Sequence, residues 1–204
     1  MKQIMENALV HLRNNGFTAV SFATGVEAAD WLVAQIAEGE EVGFGGSMTL
    51  RQLDLAAKLQ AKKVKLLDHW QPGLSSEERE ILFRRVFSAD AYFSSVNAMT
   101  EDGFLLNIDG TGNRVAATVF GPKRVFFVVG QNKLVKDVPA AFARAEQAAV
   151  ANAQRLQRNT PCVETGKCMD CQSAERICRA YMLIKRPPTA VIATVVLIEE
   201  TLGF

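Results

Sequence analysis

The sequence lacks a strong excess of charge and a long hydrophobic run, and each absence excludes a class of protein. Its 204 residues carry 23 Lys and Arg against 22 Asp and Glu, a formal net charge of +1. Proteins that bind duplex nucleic acid usually carry a basic excess on one face, so we expect no nucleic-acid partner. No apolar run approaches the roughly 20 residues that cross a bilayer, so we expect no membrane segment either.

The first residues of the chain lack an apolar stretch of signal-peptide length, and the acidic Glu6 follows early. We therefore expect a cytoplasmic protein. Apolar residues make up 49% of the chain, and a chain of this length buries most of its apolar surface without disulfides. Because no linker-like segment divides the sequence, we expect a single domain over residues 1–204.

Helix-like and strand-like hydrophobic patterns alternate along the chain. Helical spacing predicts helices over residues 1–15, 26–37, 48–60 and 137–157, and after a capping box at Ser75 and Glu78. Short apolar runs predict strands over residues 17–22, 41–44, 64–67, 89–96, 104–108, 124–129 and 190–198. Several of these runs are unbroken, as in strands buried on both faces. The sequence therefore predicts an α/β fold, with a doubly wound, mostly parallel sheet and helices on both faces.

A glycine-rich turn lies between a predicted strand and a predicted helix. Gly45 and Gly46 allow close approach of a ligand to the backbone, and Ser47 and Thr49 add hydroxyl groups. Free N–H groups at the start of a helix suit a phosphate or a carboxylate. The Lys-Ser/Thr ending of a P-loop is absent. A tight turn that needs glycine for its backbone geometry alone would also explain these residues.

A second candidate site is the loop after the strand predicted at residues 104–108. A loop that follows a buried parallel strand lies at the carboxyl edge of the sheet, where open α/β sheets bind ligands. Asp109 is the candidate general base, and Arg114 is a candidate clamp for a carboxylate. The other candidate substrate-binding residues here are Asn97, Gly110, Thr111, Gly112 and Asn113. The alternative is a solvated Asp-Gly turn without a ligand.

The dipeptide Asp68-His69, after the strand at residues 64–67, is a less promising candidate. Adjacent residues in an extended chain point to opposite faces, so the two side chains are poorly placed to form a catalytic dyad. We expect His69 to be a surface or packed histidine.

All four cysteines lie within one segment, residues 160–180. They are Cys162, Cys168, Cys171 and Cys178, in the pattern C-x5-C-x2-C-x6-C. The central pair has the spacing of a common chelating turn, and four thiolates suit a zinc site or an iron–sulfur cluster. The full spacing matches neither the ferredoxin runs nor the paired zinc-ribbon form. The residues alone leave open a cluster, zinc, or cysteines without metal.

Several segments, in order along the chain, resemble the LUD domain family, whose members include lactate-utilization protein C. They are residues 43–50 (GFGGSMTL), 89–98 (ADAYFSSVNA), 107–115 (NIDGTGNRV), 121–125 (GPKRV) and 129–133 (VGQNK). The resemblance extends over most of the chain. It implies a fold like that of glucosamine-phosphate isomerase, ribose-phosphate isomerase and the coenzyme A transferases.

The resemblance also implies a function. It suggests a subunit or enzyme in the utilization of lactate or a related small hydroxy acid, working beside iron–sulfur partner subunits, and it favours an iron–sulfur cluster at the cysteines. The expected ligand is a small anionic organic acid or a phosphate-bearing molecule, held between the glycine turn and residues 109–114. A metabolite sensor without catalysis, or an isomerase- or transferase-like enzyme, also fits this fold. Assembly into a homo-oligomer is a further expectation.

Overall fold

The computed structural model describes residues 2–204, so Met1, predicted to begin the first helix, lies outside the described residues. The helices are α1 (Lys2–Asn14), α2 (Gly25–Ala34), α3 (Met48–Gln52), α4 (Leu55–Ala61), α5 (Ser76–Arg85), α6 (Asn113–Val119), α7 (Val138–Arg155) and α8 (Pro161–Thr165). The strands are β1 (Thr18–Phe22), β2 (Glu41–Phe44), β3 (Lys65–Asp68), β4 (Ala91–Ser94), β5 (Ala98–Thr100), β6 (Leu105–Asp109), β7 (Arg124–Gly130), β8 (Leu134–Val135), β9 (Ala180–Ile184) and β10 (Ile192–Ile198).

Six of the described strands form a parallel main sheet in the order β1-β10-β7-β4-β2-β3. The strand β7 lies in the middle of this sheet and is buried from Val125 to Gly130. This burial on both faces explains why β7 reads as an unbroken apolar run. The predicted α/β class with a mostly parallel sheet is confirmed.

Helices cover one face of the main sheet, and helices together with a second sheet cover the other. On the first face, Leu32 of α2 and Leu59 of α4 belong to the same buried cluster as Phe126 of β7. On the second face, Leu12 of α1 and Met99 of β5 share a cluster with strand residues of the main sheet. Full burial of one such side chain stabilises the folded state by about 1.5 to 3 kcal/mol, so both layers contribute strongly to stability.

The second sheet has the order β8-β5-β6-β9 within the described residues. The strand β6 runs antiparallel to both β5 and β9. The strand predicted at residues 104–108 therefore does not belong to the parallel sheet, and that part of the prediction is wrong. The cause is the turn before it, in which Gly103 adopts a φ of 78° and Phe104 N–H bonds to the Thr100 hydroxyl at 3.0 Å. The chain reverses there as a hairpin, for which Asp-Gly is a typical turn sequence.

The long helix α7 packs on the outer face of the second sheet. Its Ala141 and Ala145 share a buried cluster with Leu106 and Ile108 of β6. The Asp137 side chain caps the helix by accepting a hydrogen bond from Ala140 N–H at 2.9 Å, as its sequence predicts. None of the helices in the described part of the chain is long and apolar enough to cross a membrane.

The helix predicted over residues 48–60 is broken into α3 and α4. Asp54 lies between them with a φ of 48°, in the left-handed region. The spacing of Leu53 and Leu55 explains the break, because residues two apart do not share a face of one helix, and both are buried here. Ser47 caps α3 by accepting a hydrogen bond from Leu50 N–H at 3.4 Å.

Candidate functional site

The candidate site is a crevice at the carboxyl ends of β2 and β4. In the main sheet β2 lies between β4 and β3. The chain leaves β2 toward β3, at one edge of the sheet. After β4 the next strand of the main sheet is β7, which lies in the other direction. Adjacent strands whose connections leave in opposite directions form a topological switch point, where open α/β sheets bind ligands. Gly45 and Gly46 follow β2, and Ser95 and Asn97 follow β4.

The structure brings the predicted glycine turn and the predicted loop together. A Cβ atom built on Gly45 would lie 3.2 Å from Cδ of Arg114. The crevice has a volume of about 190 Å³, and the predicted residues that line it are Gly46, Asn97, Asp109, Gly110, Thr111 and Arg114. The loop reaches this place although β6 lies in the second sheet, because Asn97 Oδ1 accepts a hydrogen bond from Ile108 N–H at 2.9 Å.

Gly112 and Asn113 are placed elsewhere. Together with Thr111 they line a separate, more apolar hollow beside Phe83 and Phe87. Gly112 has a φ of 89° and is the residue before the first turn of α6, so the chain changes direction at this point. Their role as substrate-binding residues stays a prediction.

The guanidinium of Arg114 is held by oxygens of the protein. Its two terminal nitrogens donate to Asn97 Oδ1, Asn107 Oδ1 and the Ile108 carbonyl, and Nε lies 3.6 Å from Asp109 Oδ2. A bidentate grip on a carboxylate, the predicted role, would require some of these bonds to break. As it stands, Arg114 is a fixed positive charge in the floor of the crevice.

Asp109 has the hydrogen bonds of a helix cap. Its carboxylate accepts from Thr111 N–H at 3.1 Å, Gly112 N–H at 3.0 Å and Val115 N–H at 3.2 Å, and the residue is 9% exposed. Gly112 has no side chain to cap α6, so Asp109 satisfies the free N–H groups of that helix. The hydrogen bonds give Asp109 a role in holding the loop; its role as a general base stays a prediction.

Lys133 is a site residue that the sequence analysis missed. The residue is 4% exposed, and its amine donates to Thr49 Oγ1 and Ser95 Oγ, both at 2.8 Å. These hydroxyls donate in turn to the carbonyls of Leu202 and Val128, so they can only accept from the lysine. Lys133 lines a small cavity, which Gly46, Asn97 and Arg114 also line. In the sequence, Lys133 is a charged residue shortly after the strand predicted at residues 124–129, and this position is the signal that could have identified it.

Burial controls the charge of this lysine. Loss of hydration lowers the pKa of Lys133 to about 7, and the positive charges of Arg144 and Arg114 lower it in the same direction. Within residues 2–204, no carboxylate lies within 4 Å of its Nζ atom. Near neutral pH the amine is therefore divided between its charged form and a neutral form that can accept a proton.

Arg144 of α7 adds a third cation near the crevice. Its Nε donates to the Asn132 carbonyl at 2.8 Å, and Nη1 donates to the Asn97 carbonyl. Its bonds to neutral carbonyls leave its charge without a counterion, as for Lys133. The charges of Arg144 and Arg114 therefore both act on Lys133, and Asp109 lies against Arg114.

His69 packs among aromatic rings beside this crevice. Its ring lies edge-on to Phe83, with 4.8 Å between the ring centroids, and burial lowers the pKa of His69. The Asp68 carboxylate accepts from Trp70 N–H at 2.9 Å, and no hydrogen bond joins it to the His69 side chain in the described chain. This agrees with the expectation that the pair is not a dyad.

The cysteine segment forms one wall of the crevice through Ile177. Arg176 ties this segment together, since it donates to the carbonyls of Cys171 and Cys178 at 2.7 and 2.9 Å and pairs with Asp170 at 2.8 Å. These bonds tie together the backbone of residues 170–178.

The thiols of Cys162, Cys168, Cys171 and Cys178 are all free. Among the described residues, no three or more Cys, His, Asp or Glu side chains are grouped so that they could hold a metal ion. The donor set as placed therefore does not fit a zinc ion or a cluster. The predicted cofactor stays a prediction, and no step of the proposed function passes through it.

Comparisons with known proteins agree with this architecture. The model of the LUD domain family matches residues 5–198. The fold is similar to a DUF162 family protein from Deinococcus radiodurans, with a TM-score of 0.56, 13% identity and 97% of each chain covered. A weaker similarity, to eIF2B beta from Chaetomium thermophilum, has a TM-score of 0.41 and 18% identity, over 60% of this chain and 42% of that one. No curated protein matches the sequence.

Proposed function

This chain belongs to the LUD domain family, and on that premise we propose that it is a subunit or enzyme in the utilization of lactate or a related small hydroxy acid. The acid binds as its carboxylate anion in the crevice at the ends of β2 and β4. Its carboxylate lies near the amine of Lys133, which lines a small cavity that shares Gly46, Asn97 and Arg114 with the crevice.

The observation that carries this proposal is the buried, unpaired amine of Lys133. A charged amine without a counterion is costly to bury, and two hydroxyls supply hydrogen bonds but no negative charge. A bound carboxylate would supply the missing charge.

Lys133 also suits a step in which a proton moves. Near neutral pH the amine can take up a proton when the acid binds, because its pKa is lowered to about 7 and a carboxylate beside it raises that pKa again. Oxidation of a hydroxy acid to an oxo acid releases two electrons and two protons. In this proposal an iron–sulfur partner subunit accepts both electrons and solvent water accepts both protons, while Lys133, charged when the acid is bound, holds its carboxylate.

Isothermal titration calorimetry with L-lactate and pyruvate tests the proposal. We expect both acids to bind the unmodified chain and to bind Lys133→Met at least about tenfold more weakly, because a buried charge-assisted contact is lost. The matched control is Lys136→Met, which makes the same change at an exposed position three residues away, and it should change affinity less than twofold. Equal affinity for Lys133→Met, or no binding of either acid, would contradict the proposal.

A further inference from the structure

A groove rich in arginine lies at the mouth of the crevice. It has a volume of about 450 Å³ and is lined mainly by Arg51, His69, Trp70, Arg79, Phe83 and Arg155. Arg155 and its neighbour Leu156 also line the crevice, so the two spaces adjoin each other. The groove shares no lining residue with the cavity that holds Lys133. We call it the basic groove.

Trp70 is the centre of the basic groove. The guanidinium carbon of Arg51 lies 4.4 Å from the centroid of its ring, and that of Arg155 lies 4.9 Å away, both within the range of a cation–π contact. The glycine turn fixes the ring from another side, because a Cβ atom built on Gly46 would lie 2.9 Å from Trp70 Cζ2. The two arginines are thus held near one ring, which is fixed to the rim of the crevice.

These arginines lack counterions. Within residues 2–204, Arg51, Arg79 and Arg155 have no carboxylate within 4 Å. On other surfaces of the molecule, Arg84 and Arg124 each pair with a glutamate at 2.8 and 2.7 Å. Partial burial lowers the pKa of Arg155, and the charge of Arg51 lowers it in the same direction. Like charges held together in this way create a positive potential that attracts anions.

We infer that the basic groove binds the phosphate group of a small phosphate-bearing ligand. The planar guanidinium presents paired N–H donors that match two phosphate oxygens, and Arg51 and Arg155, which both lie against the Trp70 ring, could donate to one phosphate together. Because the groove adjoins the crevice at Arg155, a ligand held there by its phosphate could extend toward Gly46 and Asp109. This inference goes beyond the acid proposed above and does not depend on it.

Calorimetry with pyrophosphate on the full chain at low salt tests the inference. We expect binding that weakens about tenfold or more in Arg51→Gln and in Arg155→Gln, the loss of a charge-assisted contact. The control is Arg186→Gln, at an exposed position beside Pro187. Pro187 contacts Gly16, which precedes β1 and so lies at the opposite edge of the main sheet; this variant should change affinity less than twofold.

Tryptophan fluorescence locates the bound probe. A change in emission on addition of pyrophosphate should be lost in Trp70→Phe and kept in Trp31→Phe, because Trp31 packs between Phe22 and Phe126 away from the groove. Adenosine diphosphate and adenosine, tested alongside, distinguish the sources of the phosphate. Tighter binding of the nucleotide than of pyrophosphate would identify a nucleotide ligand, and equal binding would identify recognition of the phosphate alone; either supports the site.

Three results would overturn the inference: no binding of pyrophosphate, binding that Arg51→Gln and Arg155→Gln leave unchanged, or adenosine binding as tightly as the diphosphate. Lys133→Met separates this inference from the proposed function. That variant should keep its affinity for pyrophosphate even when it no longer binds lactate or pyruvate, because the groove and the lysine cavity have separate linings.

Discussion

The Nζ atom of Lys133 lies 2.8 Å from the hydroxyl oxygen of Ser95, which joins the segment after β7 to the segment after β4. Thr49, in the first turn after β2, accepts from the same amine at the same distance. The carboxyl ends of three adjacent strands of the main sheet therefore meet at one buried amine. Its protonation should influence both the stability of the fold and the binding of an anion.

The first prediction concerns how the free energy of unfolding changes with pH in the unmodified chain compared with Lys133→Met. The folded chain holds the pKa of Lys133 at about 7, whereas an unfolded lysine titrates near about 10.4. Between these values the unfolded state binds a proton that the folded state does not, so the contribution of Lys133 to the free energy of unfolding rises with pH, by up to about 1.4 kcal/mol per unit. The penalty of burying the lysine is complete below pH 7 and disappears as the pH approaches 10.4.

Urea unfolding at pH 7 and pH 9, in buffers without carboxylate or phosphate, measures this effect. The unmodified chain should gain about 2 kcal/mol relative to Lys133→Met between the two pH values. Taking the difference between the two proteins removes the titration of all other groups. A difference that does not change with pH would show that the amine is not held in the buried site described here.

The second prediction separates two roles for Asp109. As a cap, its carboxylate accepts three backbone hydrogen bonds, and Asp109→Asn replaces one acceptor oxygen with a donor. We expect that change to lower the free energy of unfolding by about 1 to 3 kcal/mol. The control is Asp102→Asn, at an exposed position, which should change stability by less than about 0.5 kcal/mol. Unchanged stability with lost turnover would instead identify Asp109 as the base.

The third prediction tests the contact between the glycine turn and Trp70. Gly46→Ala places a methyl group 2.9 Å from the indole ring, so the ring must shift, at a cost of about 1 to 3 kcal/mol. The same substitution in a Trp70→Ala background should cost much less, because the obstructing ring is gone. A double-mutant cycle by urea unfolding measures the difference, and equal costs in the two backgrounds would refute the contact.

The fourth prediction concerns the cysteine segment. Arg176→Ala removes donors to the carbonyls of Cys171 and Cys178, so residues 166–178 should open more often. We expect limited proteolysis within this stretch to become about tenfold faster, with increased labelling of its thiols. Arg186→Ala is the exposed control. Equal cleavage of the two variants would mean that some other contact holds the segment.

The hydrophobic pattern was sufficient to predict the main sheet, because β2, β4, β7 and β10 are buried on both faces and read as unbroken runs. The capping box at Ser75 was equally visible, since both of its hydrogen bonds are local, between residues three apart. Features of this kind are specified within a few neighbouring residues and do not depend on distant parts of the chain.

The features that were missed depend on distant contacts. The strand β9 is partly exposed and acquires its place by pairing with β6, more than 70 residues earlier. Lys133 reads as a surface residue in sequence, and it is buried because Thr49 and Gly203 close over it from other parts of the chain. The cofactor at the cysteines stays a prediction that elemental analysis of anaerobically purified protein tests.

Proton uptake on ligand binding tests the central claim most directly. Pyruvate binding is measured by calorimetry at pH 8 in two buffers with different ionisation enthalpies, for the unmodified chain and for Lys133→Met. A bound anion raises the pKa of the neighbouring amine, so the unmodified chain should take up close to one proton per pyruvate, and the variant none. Binding without uptake, or the same uptake in both proteins, would contradict an anion site built on Lys133.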